Sequence, residues 1–131
     1  MNRFRQAVES GDIEAAVDEL ADDVVFRSPV AFSPYPGKPI TAAILRAVFQ
    51  VFEDFHYVRE IADPSGDHAL VFEAKVNGLD ITGCDFLTYN EAGKIVDFMV
   101  MVRPMRAAQA LAEEMGARFE QIKAEAIAST D

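Results

Sequence analysis

Cysteine is nearly absent from this sequence, with Cys84 as its only example. A lone cysteine excludes an internal disulfide and a multi-cysteine zinc site, and it reads as a small strand residue. Histidine is almost as scarce. His56 and His68 stand outside any His-x-x-x-His spacing with a nearby acid, so no metal site is expected, and both read as surface or strand-edge residues. His56 is the better of the two as a pocket acid or base, because its titration range suits that task. Basic residues are also few, with 12 Lys and Arg against 22 Asp and Glu and a formal net charge of −10. Such a surface repels polyanions, which argues against nucleic acid as a partner. No apolar run approaches the ~20 residues of a membrane span, and the amino terminus lacks the apolar stretch of a signal peptide, so a cytoplasmic protein without a membrane partner is expected.

What is present is ordinary globular composition, 50% hydrophobic and 26% charged over 131 residues, which suits one domain spanning 1–131. Phe4 and Val8 lie four apart in a first helix that Gly11 can stop. Asp12 is a plausible N-cap for a second helix with Ile13, Ala16, Val17 and Leu20 on one face. A short β-rich run from Asp22 to Ser28 passes into the proline-rich loop 29–39. A third helix follows to about Asp54, carrying Ile44, Leu45, Val48, Phe49 and Phe52 on its apolar face. The period then changes to two. Four strands, "FHYVREIA", "HALVFEAKV", "LDITGCDFLTY" and "KIVDFMVMV", are joined by turns at "DPSGD", "NGL" and "NEAGK", which predicts an antiparallel meander. Pro104 ends the last strand, and residues 104–128 read as an appended helix with Ala108, Leu111, Met115, Phe119 and Ile122 in one stripe. The expected class is α+β: a cone in which a curved antiparallel sheet wraps three amino-terminal helices and leaves a pocket.

This order of elements, with "SGDIEAAVDELADDVVFRSPV", "YPGKPIT" and "NEAGKIVDF", resembles the nuclear transport factor 2-like superfamily over residues 3–103. That superfamily includes SnoaL-like polyketide cyclases, ketosteroid isomerases, scytalone dehydratase and limonene-epoxide hydrolase, alongside binders and transport adaptors. The resemblance to ketosteroid isomerases puts Phe4 where those enzymes have an oxyanion-hole tyrosine and Ser28 where they have the general base. Asp85 alone matches, at the position of their oxyanion-hole aspartic acid, a group kept protonated by an apolar site. A serine without an adjacent base cannot deprotonate a carbon acid near neutral pH. Isomerisation by that mechanism is therefore not expected.

SnoaL-like cyclases and limonene-epoxide hydrolases place an acid on the last strand. Here alternation turns Val96, Phe98, Val100 and Val102 inward and Asp97 outward, unless a bulge shifts the register. Two readings of Asp85 follow. A structural acid would cap a turn, pair with Arg27 or Arg59, or bind backbone amides. A functional one would be buried without a cation, and could serve as acid or oxyanion donor.

Phe4, Val24, Phe26, Phe49, Phe72 and Val100 are expected to line the pocket, with Ser28, Tyr35 and Asp85 as its polar groups and Tyr57 as a further hydroxyl. The function expected is binding of a small, mostly apolar molecule, with isomerisation, cyclisation or dehydration as the chemistry and no cofactor. The competing expectation is a dimeric assembly module whose pocket is filled by its own side chains. Ile95, Met99 and Met101, with Cys84 and Phe86, would form an apolar outer face suited to a homodimer unless the terminal helix covers it.

Overall fold

A computed structural model describes residues 2–129. Two short helices open the chain, α1 (Arg3–Glu9) and α2 (Ile13–Val17). The Asn2 side chain accepts from the Arg5 amide, and that of Asp12 accepts from the Ala15 amide, so each helix starts on a side-chain cap. β1 (Leu20–Arg27) leads through the proline-rich loop to a two-residue strand, β2 (Tyr35–Pro36), and then to α3 (Lys38–Val51). Pro39 lies in the first turn of α3, where its missing N–H is not needed.

The meander follows as β3 (Glu53–Ala62), β4 (His68–Val76), β5 (Leu79–Tyr89) and β6 (Ile95–Arg103). Asn77 and Gly78, between β4 and β5, both have positive φ, the conformation a tight two-residue hairpin demands. The sheet runs β2-β1-β6-β5-β4-β3. Its meander is antiparallel, as the short turns require, but β1 joins β6 in parallel, a pairing between distant segments that no local signal announces.

A bulge decides the faces of β6. Thr88 of β5 pairs with Asp97 while Tyr89 pairs with Ile95, so Val96 is the extra residue. Ile95 is consequently buried in the core, correcting its expected place on the outer face. Beyond the bulge the alternation holds. Phe98 is buried inside, and Asp97 points outward, where both its oxygens accept from the Arg27 Nε at 3.1 and 3.2 Å.

The carboxy-terminal segment differs more from its expectation. Instead of one helix it forms α4 (Met105–Ala117) and α5 (Phe119–Ala128), which meet at Arg118. The Arg118 guanidinium donates to the Glu114 carbonyl and carboxylate at 2.8 and 2.9 Å, tying the corner down. The bend lets α5 lie along α3, with Ile122 and Ala126 buried, while Ala107, Ala110 and Leu111 of α4 pack on a cluster with Val76 and Ile81. Neither helix covers the outer sheet face. The pair roofs the concave side instead, α5 against α3 and α4 against α3 and the strands β4 to β6.

Candidate functional site

Between the sheet, α3 and the α4–α5 pair lies a cavity of about 480 Å³. Phe26, Phe72, Asp85, Phe98 and Val100 form its sheet wall, Ile44, Leu45, Val48 and Phe49 its α3 wall. Leu111, Met115, Phe119 and Ile122 roof it, and Ser28, Pro29, Val30 and Tyr35 bring in the β1–β2 loop. Phe52 and Phe55 close one side. Aromatic packing holds these walls. Phe55 stacks on Phe72 at 4.8 Å and meets Phe49 edge-on at 5.1 Å, while Tyr35 lies 5.9 Å from Phe119. Gly83 makes the Phe72 position possible, since a Cβ there would come within 2.2 Å of the Phe72 ring.

Of the residues expected at the pocket, Phe26, Ser28, Tyr35, Phe49, Phe72, Asp85 and Val100 reach the cavity. Phe4 and Val24 do not. Phe4 is fully buried behind Phe98, which it meets edge-on at 5.3 Å, and Phe98 packs on Phe26 at 5.5 Å. Those two rings fill the space between α1 and the cavity, so a group on α1 at this position is screened from a ligand. Val24 is likewise core. His56 sits on the outer side of the cone, its Nε2 3.4 Å from Glu73, and has no path to the cavity. His68 lies near Glu60 and edge-on to Tyr89, also away from it.

Asp85 is 5% exposed and sits between Leu70 of β4 and Val100 of β6. Arg27 is engaged with Asp97, and Arg59 is not a partner of Asp85. The group that meets it is Tyr57, whose hydroxyl donates to Oδ2 at 3.1 Å. Burial pushes the Asp85 pKa up to about 7, against a smaller downward pull from the Tyr57 hydrogen bond. Burial, and then the charge of Asp85, likewise raise the Tyr57 pKa, so the phenol stays neutral and remains a donor. Tyr57 itself is buried beneath the Arg5 guanidinium, 5.8 Å from its ring, rather than open to a ligand.

The pairing of Tyr57 with Asp85 is what sequence reasoning missed. Alternation along "FHYVREIA" does put Phe55 and Tyr57 on one face, but β3 bulges on both sides of Tyr57, and these bulges aim the ring across β4.

At Ser28 the hydroxyl oxygen accepts from the amides of Val30 and Ala31 at 3.1 and 3.3 Å. Among the described residues, no group of three or more His, Cys, Asp and Glu side chains is disposed to hold a metal ion, and no helix is long and apolar enough to cross a membrane.

Residues 1–98 match the SnoaL-like domain family. The chain belongs to that family. It is similar to a steroid delta-isomerase from Pseudomonas aeruginosa, at 42% identity over 92% of this chain and 89% of that one, with a TM-score of 0.85. A protein with a cystatin-like fold from Silicibacter pomeroyi DSS-3 is 36% identical over 94% of this SnoaL-like chain and 91% of its own, with a TM-score of 0.82. The epoxide hydrolase/cyclase-like enzyme SalBIII, of pyran ring formation in the polyether salinomycin, shares the fold at 18% identity and a TM-score of 0.64, over 79% of this chain and 87% of that one. No curated protein matches the sequence. These likenesses establish a nuclear transport factor 2-like cone of the SnoaL-like family, similar to a steroid delta-isomerase. The family match ends at Phe98, so the roof built by α4 and α5 lies outside it.

Proposed function

We propose that this SnoaL-like protein binds a small, mostly apolar molecule in the cone cavity and carries out isomerase, cyclase or lyase chemistry on it through Asp85, without a metal or organic cofactor. The observation that carries this reading is a cavity of about 480 Å³, walled by aromatic and aliphatic side chains, that reaches a buried carboxyl with no cationic partner. A space of that size supports a ligand of a few fused rings, and the scarcity of polar lining supports one with few oxygens. The similarity to a steroid delta-isomerase supports the same class of ligand and chemistry. An open volume of this size supports this reading over a pure assembly module whose pocket is filled by its own side chains.

An amide NMR titration with a panel of bicyclic and tricyclic apolar ketones and phenols tests this. Expected are shifts at Phe49, Val100, Leu111 and Phe119 that saturate, and that are lost when Phe72→Trp fills the cavity. Shifts restricted to the outer sheet face, or none at millimolar ligand, would overturn the reading.

We also propose a homodimer, formed through the outer face that Phe86 and Met101 leave in water.

A further inference from the structure

Sheet register puts the two most chemically capable groups of the cavity in one row. Asp85 pairs with Val100 across β5 and β6, and Arg27 pairs with Met99 across β1 and β6. Ser28 follows Arg27 and therefore comes beside Val100. Two strand spacings separate Asp85 from Ser28, roughly 10 Å between their backbones, with both residues lining the cavity from the concave side. A carbonyl oxygen hydrogen-bonded to Ser28 would then hold its α-carbon near Asp85.

The hydrogen bonds already made by Ser28 restrict its role. Ser28 Oγ accepts from two backbone amides, so both lone pairs are occupied, and among the described residues nothing accepts its proton. It can only donate into the cavity, and the two amides behind it polarise the O–H for that purpose. Asp85 can take either role, since burial favours its neutral form while its Oδ2 accepts from Tyr57, a partner that favours the ionised form; with Ser28 confined to donating, accepting falls to Asp85.

Building on the ligand-binding reading above, we propose that Asp85 is the proton acceptor of this cavity and Ser28 the donor that stabilises the ligand oxygen, with Tyr57 positioning Asp85. This reverses the assignment of donor to Asp85 that the resemblance to ketosteroid isomerases implies. In the step, the C–H bond α to the carbonyl breaks and its proton passes to the Asp85 carboxylate. The electron pair forms the enolate double bond, and the carbonyl π pair moves onto oxygen, held by the Ser28 O–H. Return of a proton from Asp85, after its carboxyl has exchanged with water, to the α-carbon or its vinylogue restores the carboxylate, with no net oxidation and no co-reactant. A carboxyl that titrates near 7 can do both halves near neutrality. The other titratable groups around it are Tyr57 from β3, Tyr35 from the β1–β2 loop, Glu120 of α5 at the mouth, and Cys84 on the far face of β5. Leu70 and Val100 face it from β4 and β6.

The test uses 2-tetralone, an apolar bicyclic ketone with acidic α-protons, and follows hydrogen–deuterium exchange at C1 in D2O by NMR, with binding measured separately from amide shifts at Phe49 and Phe119. Exchange above the buffer rate should rise with pH through a midpoint near 7 and be abolished in Asp85→Asn. Ser28→Ala should lower it about 10²-fold without moving the midpoint. Tyr57→Phe should move the midpoint upward, since the hydrogen bond it removes holds the Asp85 pKa down. Ser28→Thr and Ser28→Val, alike in shape and differing in the hydroxyl, give the same comparison should Ser28→Ala not fold.

Exchange that falls as pH rises would make Asp85 the donor and overturn the assignment. So would full activity in Ser28→Ala, or binding in the cavity without exchange, and these outcomes leave the ligand-binding reading intact. Absence of cavity shifts would overturn both.

Discussion

Asp85 carries an energetic penalty that should be measurable without any ligand. Its folded-state pKa of about 7 lies above the ordinary carboxylate value of 3.8, so the folded protein holds a proton that the unfolded chain has already released between those pH values. Stability is therefore fully present below about pH 4 with respect to this group and declines as pH rises through about 7, by roughly 4 kcal/mol at most, at 1.36 kcal/mol per pKa unit. Asp85→Asn removes that titration. Urea unfolding of both proteins between pH 4 and pH 8 should show the variant gaining on the parent by a few kcal/mol across the window. A constant difference would mean that Asp85 titrates like an exposed acid. At this scale the sequence was informative about the acid and silent about its partner: "CDFL" marks Asp85 as an acid among apolar residues, whereas Tyr57 is 28 residues away and meets it only through the fold.

Among the elements, the α4–α5 pair is the least like what periodicity implies. A stripe from Ala108 to Ile122 fits one straight helix, but Arg118 ends α4 and starts α5, and the two halves bury their apolar sides against different neighbours. Ile122 shows the consequence, being 4% exposed, packed in the main core, and part of the cavity roof. Ile122→Ala should cost about 2–4 kcal/mol in thermal or denaturant unfolding and enlarge the cavity, so that bulkier ketones enter. A loss below about 0.5 kcal/mol would mean that α5 is not held on α3. The Arg46 guanidinium adds a polar link here, donating from α3 to Glu14 of α2 at 2.8 Å and to Glu125 of α5 at 3.2 Å. Since these groups are substantially exposed, that link orders the helices more than it stabilises them.

For the molecule as a whole, the contrast is between a closed cone and an open outer sheet face. Met101 is 54% exposed and Phe86 39%, and the terminal helices roof the cavity rather than shielding them. With a net charge of −10 to overcome, an encounter between two copies needs this apolar face to be uncharged at its centre. Sedimentation at micromolar concentration should give a dimer for the parent and a monomer for Met101→Asp, with cavity binding unchanged. A parent that sediments as a monomer would remove the interface from consideration.

Much of this protein could be read from local pattern. Period-two alternation and the turns "NGL" and "NEAGK" specify the meander, because side-chain direction along a strand and the positive φ of a tight turn are properties of adjacent residues. The same locality explains why Phe26, Phe49, Phe72 and Val100 could be placed toward the interior, whereas Ser28 was placed by family resemblance. Tertiary structure alone decided that β1 runs parallel to β6 and that a bulge at Val96 turns Ile95 inward. It also decided that Phe98 screens Phe4, that Tyr57 reaches Asp85, and that Ser28 and Asp85 share a row. Each of those depends on the register between segments far apart in the chain, and register is set by which faces can be buried together, a quantity no single segment contains.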